Sequence, residues 1–366
     1  MTLRAGHAAA TDWREAARRC LAGIGPTRDA TLGFLYLSDT LEGDPAEMLD
    51  HLRQATGVRH WVGSVGVGVL ASGVEYLDEP AMAIMLTDFP ESEFSVFSGK
   101  ARPPQPGTRT ATGAGAAHFA IVHGDPGTDD MPELIEDMSM KVASGFLVGG
   151  LSSSRGEAYQ IADEVLRGGI SGVVFSDRID IGTRLTQGCS PVGPRHLITD
   201  AQRNILVTLD GRPALEVFKE DIGAVAARDL QRASAYLHAA LPVAGSDTGD
   251  YLVRNVMGID PQNKLVAIGA HVESGQSVMF CKRDADTARE DLERMLGSIT
   301  AERGRPRGGL YYACLGRGAH MFGRKSREME ILRDALGDVP LVGFACNGEI
   351  SHDRLYGYTG VLALFY

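Results

Sequence analysis

The chain has 366 residues, 44% of them apolar and 23% charged, which suits a globular protein and is long enough for two domains with separate cores. Its 36 lysines and arginines face 47 aspartates and glutamates, so the net charge of −11 argues against nucleic acid or an anionic membrane as partner. The five cysteines (Cys20, Cys189, Cys281, Cys314 and Cys346) are widely spaced with no Cys-x-x-Cys pair. That opposes a zinc knuckle or disulfide framework, and no apolar run is long enough to act as a signal core or span a bilayer; a reducing cytoplasm is expected.

In chain order, residues 1–27 read as a flexible polar leader followed by a short helix over 11–21. Trp13, Ala16, Ala17, Cys20 and Leu21 share one face of that helix, which is expected to dock on the body. A buried-strand run follows at 32–37, then a helix over 45–56, a glycine-rich strand over 60–70 and a strand over 81–87. The Pro/Gly-rich stretch from 98 to 115 reads as an exposed connector. The pattern then recurs as strand 117–122, helix 130–144, strand 145–150 and strand 172–176. Residues 180–219 alternate in strand fashion, with a hairpin turn at Leu209-Asp210-Gly211-Arg212. A long alanine-rich helix is expected over 219–241, ended by Pro242 and a loop over 245–250. Strands at 251–257, 264–269 and 277–280 and a helix over 284–300 lead to a third recurrence: strand 310–315, helix 324–336, strand 341–346 and strand 361–365.

Each recurrence is a β-α-β unit with a right-handed crossover and a returning strand. Glycine corners fall at matching places, at Val62-Gly63-Ser64, Val148-Gly149-Gly150 and Val342-Gly343-Phe344. The expected fold class is α/β (mixed α+β): two domains of repeated β-α-β-β units, over 28–219 and 220–366. Their sheets are mixed and helices cover the outer faces, as in a four-layer αββα sandwich.

The chemistry concentrates where apolar strands break into glycine and a polar side chain. Arg317, between Gly316 and Gly318, presents an unobstructed planar fork to a carboxylate or phosphate, or else pairs internally with Glu349. Cys314 is either a thiol activated by Arg317 and the turn N–H groups or a small buried hydrophobe, and Cys346 is a candidate redox partner for it. Gln187, Ser190 and the serines at 152–154 offer neutral hydrogen bonds, or are simply turn residues. The ten histidines form no His-x-x-x-His or His-Glu-x-x-His motif, so no metal site is assigned; His352-Asp353 reads as a solvated loop. No Gly-x-Ser-x-Gly elbow or phosphate loop is present, and the glycines at 63, 66 and 68 lie inside a strand rather than opening a helix.

These residues also carry a family resemblance. Cys314-Leu315-Gly316-Arg317-Gly318, Gly343-Phe344 with Asn347-Gly348-Glu349, and Tyr358-Thr359-Gly360-Val361-Leu362 resemble the C-terminal half of the FIST family. Arg184-Leu185-Thr186-Gln187-Gly188-Cys189-Ser190-Pro191-Val192-Gly193 resembles the end of its N-terminal half, and the likeness extends over residues 28–366. It implies a small-ligand-binding sensory module of bacterial signalling proteins, also found joined to an F-box in eukaryotic ubiquitin ligases, with no established reaction. The expectation is a cytoplasmic sensor for a small polar, amino-acid-like ligand, signalling through a separate partner protein. Arg317, Gly316, Gly318, Asn347, Gly348, Glu349, Gln187, Gly188, Cys189 and Ser190 are expected to bind that ligand near the join of the two halves. Two alternatives stay open: an enzyme with Cys314 as nucleophile and His320 or His352 as base, and a haem-binding nitric-oxide sensor of the kind the resemblance also implies. For haem, no axial ligand and no Cys-x-x-Cys-His attachment site is identifiable.

Overall fold

The computed structural model describes residues 1–99, 117–230, 236–243 and 251–366. All but the first two residues of the expected connector, and the whole loop at 245–250, lie outside the described residues. Two compact units emerge, one made of residues 1–187 and 289–366, the other of residues 188–288.

The first unit opens with β1 (Leu3–Ala9), α1 (Trp13–Ile24), β2 (Leu32–Ser38), α2 (Pro45–Thr56), β3 (His60–Gly66), the hairpin β4 (Gly68–Ala71) and β5 (Val74–Leu77), and β6 (Ala81–Thr87). Next come β7 (Phe94–Phe97), β8 (Phe119–Gly124), α3 (Met131–Ser139), β9 (Phe146–Leu151), the hairpin β10 (Gln160–Ala162) and β11 (Val165–Leu166), β12 (Ile170–Phe175) and β13 (Ile181–Gln187). The second unit supplies β14 (Cys189–Pro191), β15 (His196–Gln202), β16 (Ile205–Leu209), β17 (Arg212–Pro213), α4 (Ala214–Ala226), β18 (Leu237–Pro242), β19 (Tyr251–Asp260), β20 (Leu265–Ile268) and β21 (Ser277–Arg283). Helix α5 (Ala285–Arg303) brings the chain back to the first unit. That unit closes with β22 (Gly308–Cys314), α6 (Ala319–Phe322), α7 (Arg327–Leu336), β23 (Leu341–Cys346), the hairpin β24 (Glu349–Ser351) and β25 (Arg354–Tyr356), and β26 (Thr359–Phe365).

Three six-stranded sheets make up the first unit, in the orders β1-β6-β2-β3-β10-β11, β7-β12-β8-β9-β24-β25 and β13-β26-β22-β23-β4-β5. Each is centred on a parallel pair joined through helix (β2–β3, β8–β9, β22–β23), flanked by an antiparallel return strand. The hairpin that follows each pair does not stay with it: β4–β5 completes the third sheet, β10–β11 the first and β24–β25 the second. The three pairs share a register, with Leu35 opposite Gly63, Val122 opposite Gly149 and Tyr311 opposite Gly343. At each of these glycines a Cβ would collide with the carbonyl oxygen of that opposite residue, so only glycine permits the close approach.

Strand alternation explains the layers. Leu32, Phe34 and Tyr36 of β2, Phe119 and Ile121 of β8, and Leu310 and Tyr312 of β22 meet in one central core. The intervening residues face helices: Leu35 and Leu37 meet α2 through Leu49 and Leu52, Val122 meets α3 through Ile135 and Met138, and Tyr311 meets α5 and α7 through Leu292 and Leu332. Because both faces are buried, the strands read as continuous apolar runs rather than alternating ones. Near the middle, the Tyr36 hydroxyl lies 2.9 Å from that of Tyr312 and 3.2 Å from His123 Nε2. The fold is thus mixed α/β with helices outermost, but three sheets share one core where a four-layer stack of two sheets was expected. All three β-α-β units also fall within one compact unit.

Local differences have identifiable causes. The polar leader contains β1, which pairs antiparallel with β6 over Leu3–Ala9 while α1 packs its Ala16, Ala17 and Cys20 face beneath; tertiary pairing overrides weak local strand propensity. The stretch 60–70 is two strands in different sheets, split where Val67 N donates to Ser153 Oγ (2.8 Å). Residues 219–241 are not one helix. Helix α4 runs from Ala214 to Ala226 with Gly223 at φ 80° inside it, and Leu237–Pro242 is strand β18, between β19 and β21. Alanine richness does not separate a helix from a buried strand. In this second unit His196 is clamped by Asp210 (2.6 Å) and Asp221 (2.9 Å), which ties β15 to the Leu209–Arg212 turn and to α4.

The Gly343→Ala variant is expected to lose about 1–3 kcal/mol of stability, read as a lowered urea midpoint, because the strand pair must separate to admit a methyl group. An unchanged midpoint would show that β22 and β23 have room that the register denies them.

Candidate functional site

Strand β22 ends at Cys314 in a turn closed by Arg317 N donating to Cys314 O (2.8 Å). Gly318, at φ 69° in the left-handed region, then redirects the chain into α6, which turns the Arg317 side chain inward. Arg317 is 2% exposed. Its Nε donates to Glu328 Oε1 (2.7 Å) and its guanidinium carbon stands 5.1 Å from the centroid of the Phe322 ring. Among the described residues, both Nη atoms are buried without a hydrogen-bond partner. Glu328, on the first turn of α7, also accepts from the Tyr311 hydroxyl (2.5 Å).

A third acidic residue comes from the exchanged hairpin. Glu75 on β5 is 2% exposed; its N donates to Ser326 Oγ (2.9 Å) and its Oε2 accepts from Ser326 N (3.3 Å). Arg317, Glu328, Glu75, Tyr311 and Cys314 line a cavity of about 20 Å³ with Leu77 and Met329. That is room for one water-sized group, and Leu315, 40% exposed, lies at its rim. Burial, and then the charge of Glu328, pushes the Glu75 carboxyl up to about 7. Burial works against the Arg317 charge, but Glu328 outweighs it and leaves the guanidinium above its ordinary value.

Glu349, at the start of β24, is fully buried, and burial pushes its carboxyl up to about 8. Its Oε2 accepts from Thr359 N (3.2 Å) and Thr359 Oγ1 (2.7 Å), while Oε1 has no partner among the described residues. The internal pairing expected between Arg317 and Glu349 is therefore replaced: Glu328 takes the Arg317 Nε and Thr359 holds Glu349. Gln187 meets this group through the backbone. It is opposite Thr359 in the β13–β26 register, and its N donates to Asp291 Oδ2 (2.8 Å).

Gly316 packs against the Tyr358 ring, Asn347 is exposed, and Gly348 accepts from Leu151 N (2.9 Å). Gly188, Cys189 and Ser190 belong to the second unit, where Cys189 is buried and lies opposite Arg283 in the β14–β21 pair. Ser152 and Ser153 are fixed in place rather than solvated: Ser152 Oγ lies 2.8 Å from Ser64 Oγ, and Ser153 joins Val67 N to Ala345 O. Glu75, Glu328 and Tyr311 were not singled out from the sequence. Tyr311 reads as an ordinary buried-strand residue, and nothing local announces that a hairpin 251 residues before Ser326 lies against it.

Cys314 and Cys346 are opposite each other in the parallel register, and both are free thiols. Burial, and then Glu349, pushes Cys314 up to about 12, so it carries almost no thiolate at neutral pH. Of its two expected bases, His320 is exposed and His352 Nδ1 is taken up by Asp353 (2.7 Å). The fully buried His123 does not fit a haem ligand. Its ring packs against those of Tyr36, Tyr312 and Phe344 at centroid distances of 5.7, 6.0 and 5.9 Å, and its Nε2 lies 3.2 Å from the Tyr36 hydroxyl rather than facing an open ligand position.

The first unit is thus a three-sheet α/β body with a buried, under-paired arginine where a parallel strand pair ends. Comparison with known proteins makes this specific. The FIST N domain family matches residues 31–212 and the FIST C domain family matches residues 214–352. The chain belongs to the FIST family, whose domains are small-ligand sensory domains. It is 30% identical over 394 residues to "Uncharacterized protein Rv0628c" of Mycobacterium tuberculosis (strain ATCC 25618 / H37Rv), covering 100% of both chains. It is also 28% identical over 371 residues to "Uncharacterized protein Mb0898c" of Mycobacterium bovis (strain ATCC BAA-935 / AF2122/97), covering 95% of this chain and 93% of that one. Among the described residues, no helix is long and apolar enough to cross a membrane.

Glu349 has a folded pKa of about 8, above the ordinary carboxyl value of 4.5. Its contribution to stability is therefore full below about pH 4.5 and is lost as the pH rises through 8. Relative to Glu349→Gln, the wild type is expected to lose on the order of a few kcal/mol between pH 5 and pH 9, read from urea midpoints. A constant difference across that range would place the Glu349 carboxyl in water.

Proposed function

We propose that this chain is a cytoplasmic FIST-type sensor in which Arg317 holds the acceptor group of a small polar ligand and the response passes to a separate signalling protein. The single observation that carries the reading is the bonding of Arg317. A guanidinium offers five N–H donors, and among the described residues only Nε has an acceptor while both Nη atoms are buried without one. Buried donors left unsatisfied are costly, so a site of this kind favours a ligand that brings the acceptor with it. A carboxylate supplies two oxygens in the geometry that a guanidinium edge matches. An amino-acid-like ligand meets that description with its carboxylate at Arg317, and because the cavity of about 20 Å³ holds one water-sized group, its entry requires the Leu315 rim to open.

The placement agrees with general physics. The cavity lies beyond the carboxyl end of β22, one strand of a parallel pair, where α/β sheets commonly present loops to ligands. The three β-α-β units read as an internal repeat, and the polar content differs among equivalent places. Glu349, Gln160 and Val69 face Gly150, Ser64 and Phe344 respectively in the exchanged hairpins. Residues that break a structural repeat are the ones free to serve a ligand. Cys314 as a nucleophile gains no support from its raised thiol pKa.

Native mass spectrometry of the full chain purified from its own host is expected to show a retained small molecule. Simple Arg317→Ala would strand Glu328, and breaking a buried pair costs about 3–5 kcal/mol. The paired replacement Arg317→Met with Glu328→Leu removes both charges together, and it is expected to keep a cooperative melt while the added mass disappears. Retention of the same mass by the double variant would place the ligand elsewhere.

A further inference from the structure

We infer that Glu75 sets the charge specificity of the Arg317 cavity: a negatively charged acceptor enters only together with a proton that resides on Glu75. The inference rests on the reading of Arg317 as the ligand-contacting group and goes beyond it by assigning a specificity role to a residue of the exchanged hairpin.

Glu75 and Arg317 line one cavity, yet they arrive from opposite ends of the chain. Hairpin β4–β5 brings Glu75 to the third sheet, and the reciprocal bonds with Ser326 hold its carboxyl there. Outside the cavity, Lys325 pairs with Glu79, and Arg333 lies against Gly73 and pairs with Asp334, so these cations are committed elsewhere. Within it, the groups facing Glu75 are Glu328 of α7, Arg317 of the corner, and the Tyr311 hydroxyl and Cys314 thiol of β22. Burial first, and then Glu328, keeps Tyr311 well above its usual range, and burial keeps Cys314 near 12, so neither adds a charge at neutral pH.

The charge balance is then simple. Arg317 and Glu328 cancel. A ligand carboxylate on the free Nη edge leaves one positive charge against two negative ones. Ionised Glu75 would make three in a space of about 20 Å³, and like charges at such range raise the pKa of the weakest acid present. Glu75, already raised to about 7, is the group poised to take the proton. A neutral acceptor such as an amide oxygen makes no such demand, so the pH dependence of binding reports the charge of what binds.

The test uses the full chain, with formate as the smallest carboxylate probe and formamide as its neutral counterpart. Binding is followed by the ¹⁵Nε signal of Arg317, and the Glu75 pKa by its ¹³Cδ signal. Formate is expected to shift Arg317, to raise the Glu75 pKa by at least one unit, and to bind more weakly as the pH rises from 7 to the raised pKa, by about tenfold in all for each unit of that rise; formamide leaves the pKa in place. Because Glu349 also acts on Arg317 and titrates near 8, the Gln variants are made in a Glu349→Gln background. There Glu75→Gln, which copies the neutral carboxyl in shape, is expected to bind formate with no pH dependence between 6 and 9. Formate binding at Arg317 with an unmoved Glu75 pKa, or a pH dependence that survives in the Glu75→Gln, Glu349→Gln double variant, overturns the inference and leaves the Arg317 site standing. Failure of both probes to move the Arg317 signal overturns the two together.

Discussion

The exchange of hairpins among the three sheets is the constraint on which the rest of the first unit depends. Each parallel pair is open on one side until a hairpin from another pair closes it: β4–β5 on β23, β10–β11 on β3, β24–β25 on β9. An uncovered strand edge would expose a row of unpaired backbone groups. Covering that side of each pair with another pair's hairpin also ties the three sheets together around their common core. The glycines at 63, 149 and 343 sit inside the three central pairs, where a Cβ would strike the carbonyl of the opposite strand. Ser153 shows the result at atomic scale, joining the loop after β3 to the end of β23 from its own place after β9.

The same exchange assembles the site. Glu75 reaches Arg317 only because β4–β5 belongs to the third sheet, and Glu349 is buried only because β24 crosses to the second. One buried arginine and three buried acids could not all stay charged at low cost. The structure divides the burden: Glu328 pairs with Arg317, while burial raises Glu75 and Glu349 toward their neutral forms near physiological pH. What is left over is donor capacity on Arg317, and that surplus is the feature that points to a ligand.

Much of this was legible in the sequence, and the limits were physical. Apolar runs and glycine corners located the parallel pairs, because a strand buried on both faces needs an unbroken apolar stretch and a close pair needs glycine. The motif at Cys314–Gly318 singled out an arginine between glycines for either a ligand or an internal ion pair, and the structure gives it an internal partner, Glu328. The partner of that arginine was misjudged. Glu349 lies near the corner in motif terms, whereas Glu328 reaches it from a helix and Glu75 from a hairpin near the other end of the chain. Neither distance is encoded locally. The segment 219–241 failed for a different reason: alanine fits helix and buried strand alike, and only the ladder with β19 and β21 decides.

The proposal at the centre is that the Nη edge of Arg317 is reserved for an acceptor that none of the described residues provides. The most direct test is a high-resolution crystal structure of the full chain purified from its own host, read at the electron density around that edge. The account predicts a non-protein group with two acceptor atoms at hydrogen-bond distance from Nη1 and Nη2, while Glu328 keeps Nε. A protein carboxylate in that position, Glu349 released from Thr359 above all, would contradict it and make the Arg317 corner a structural ion pair.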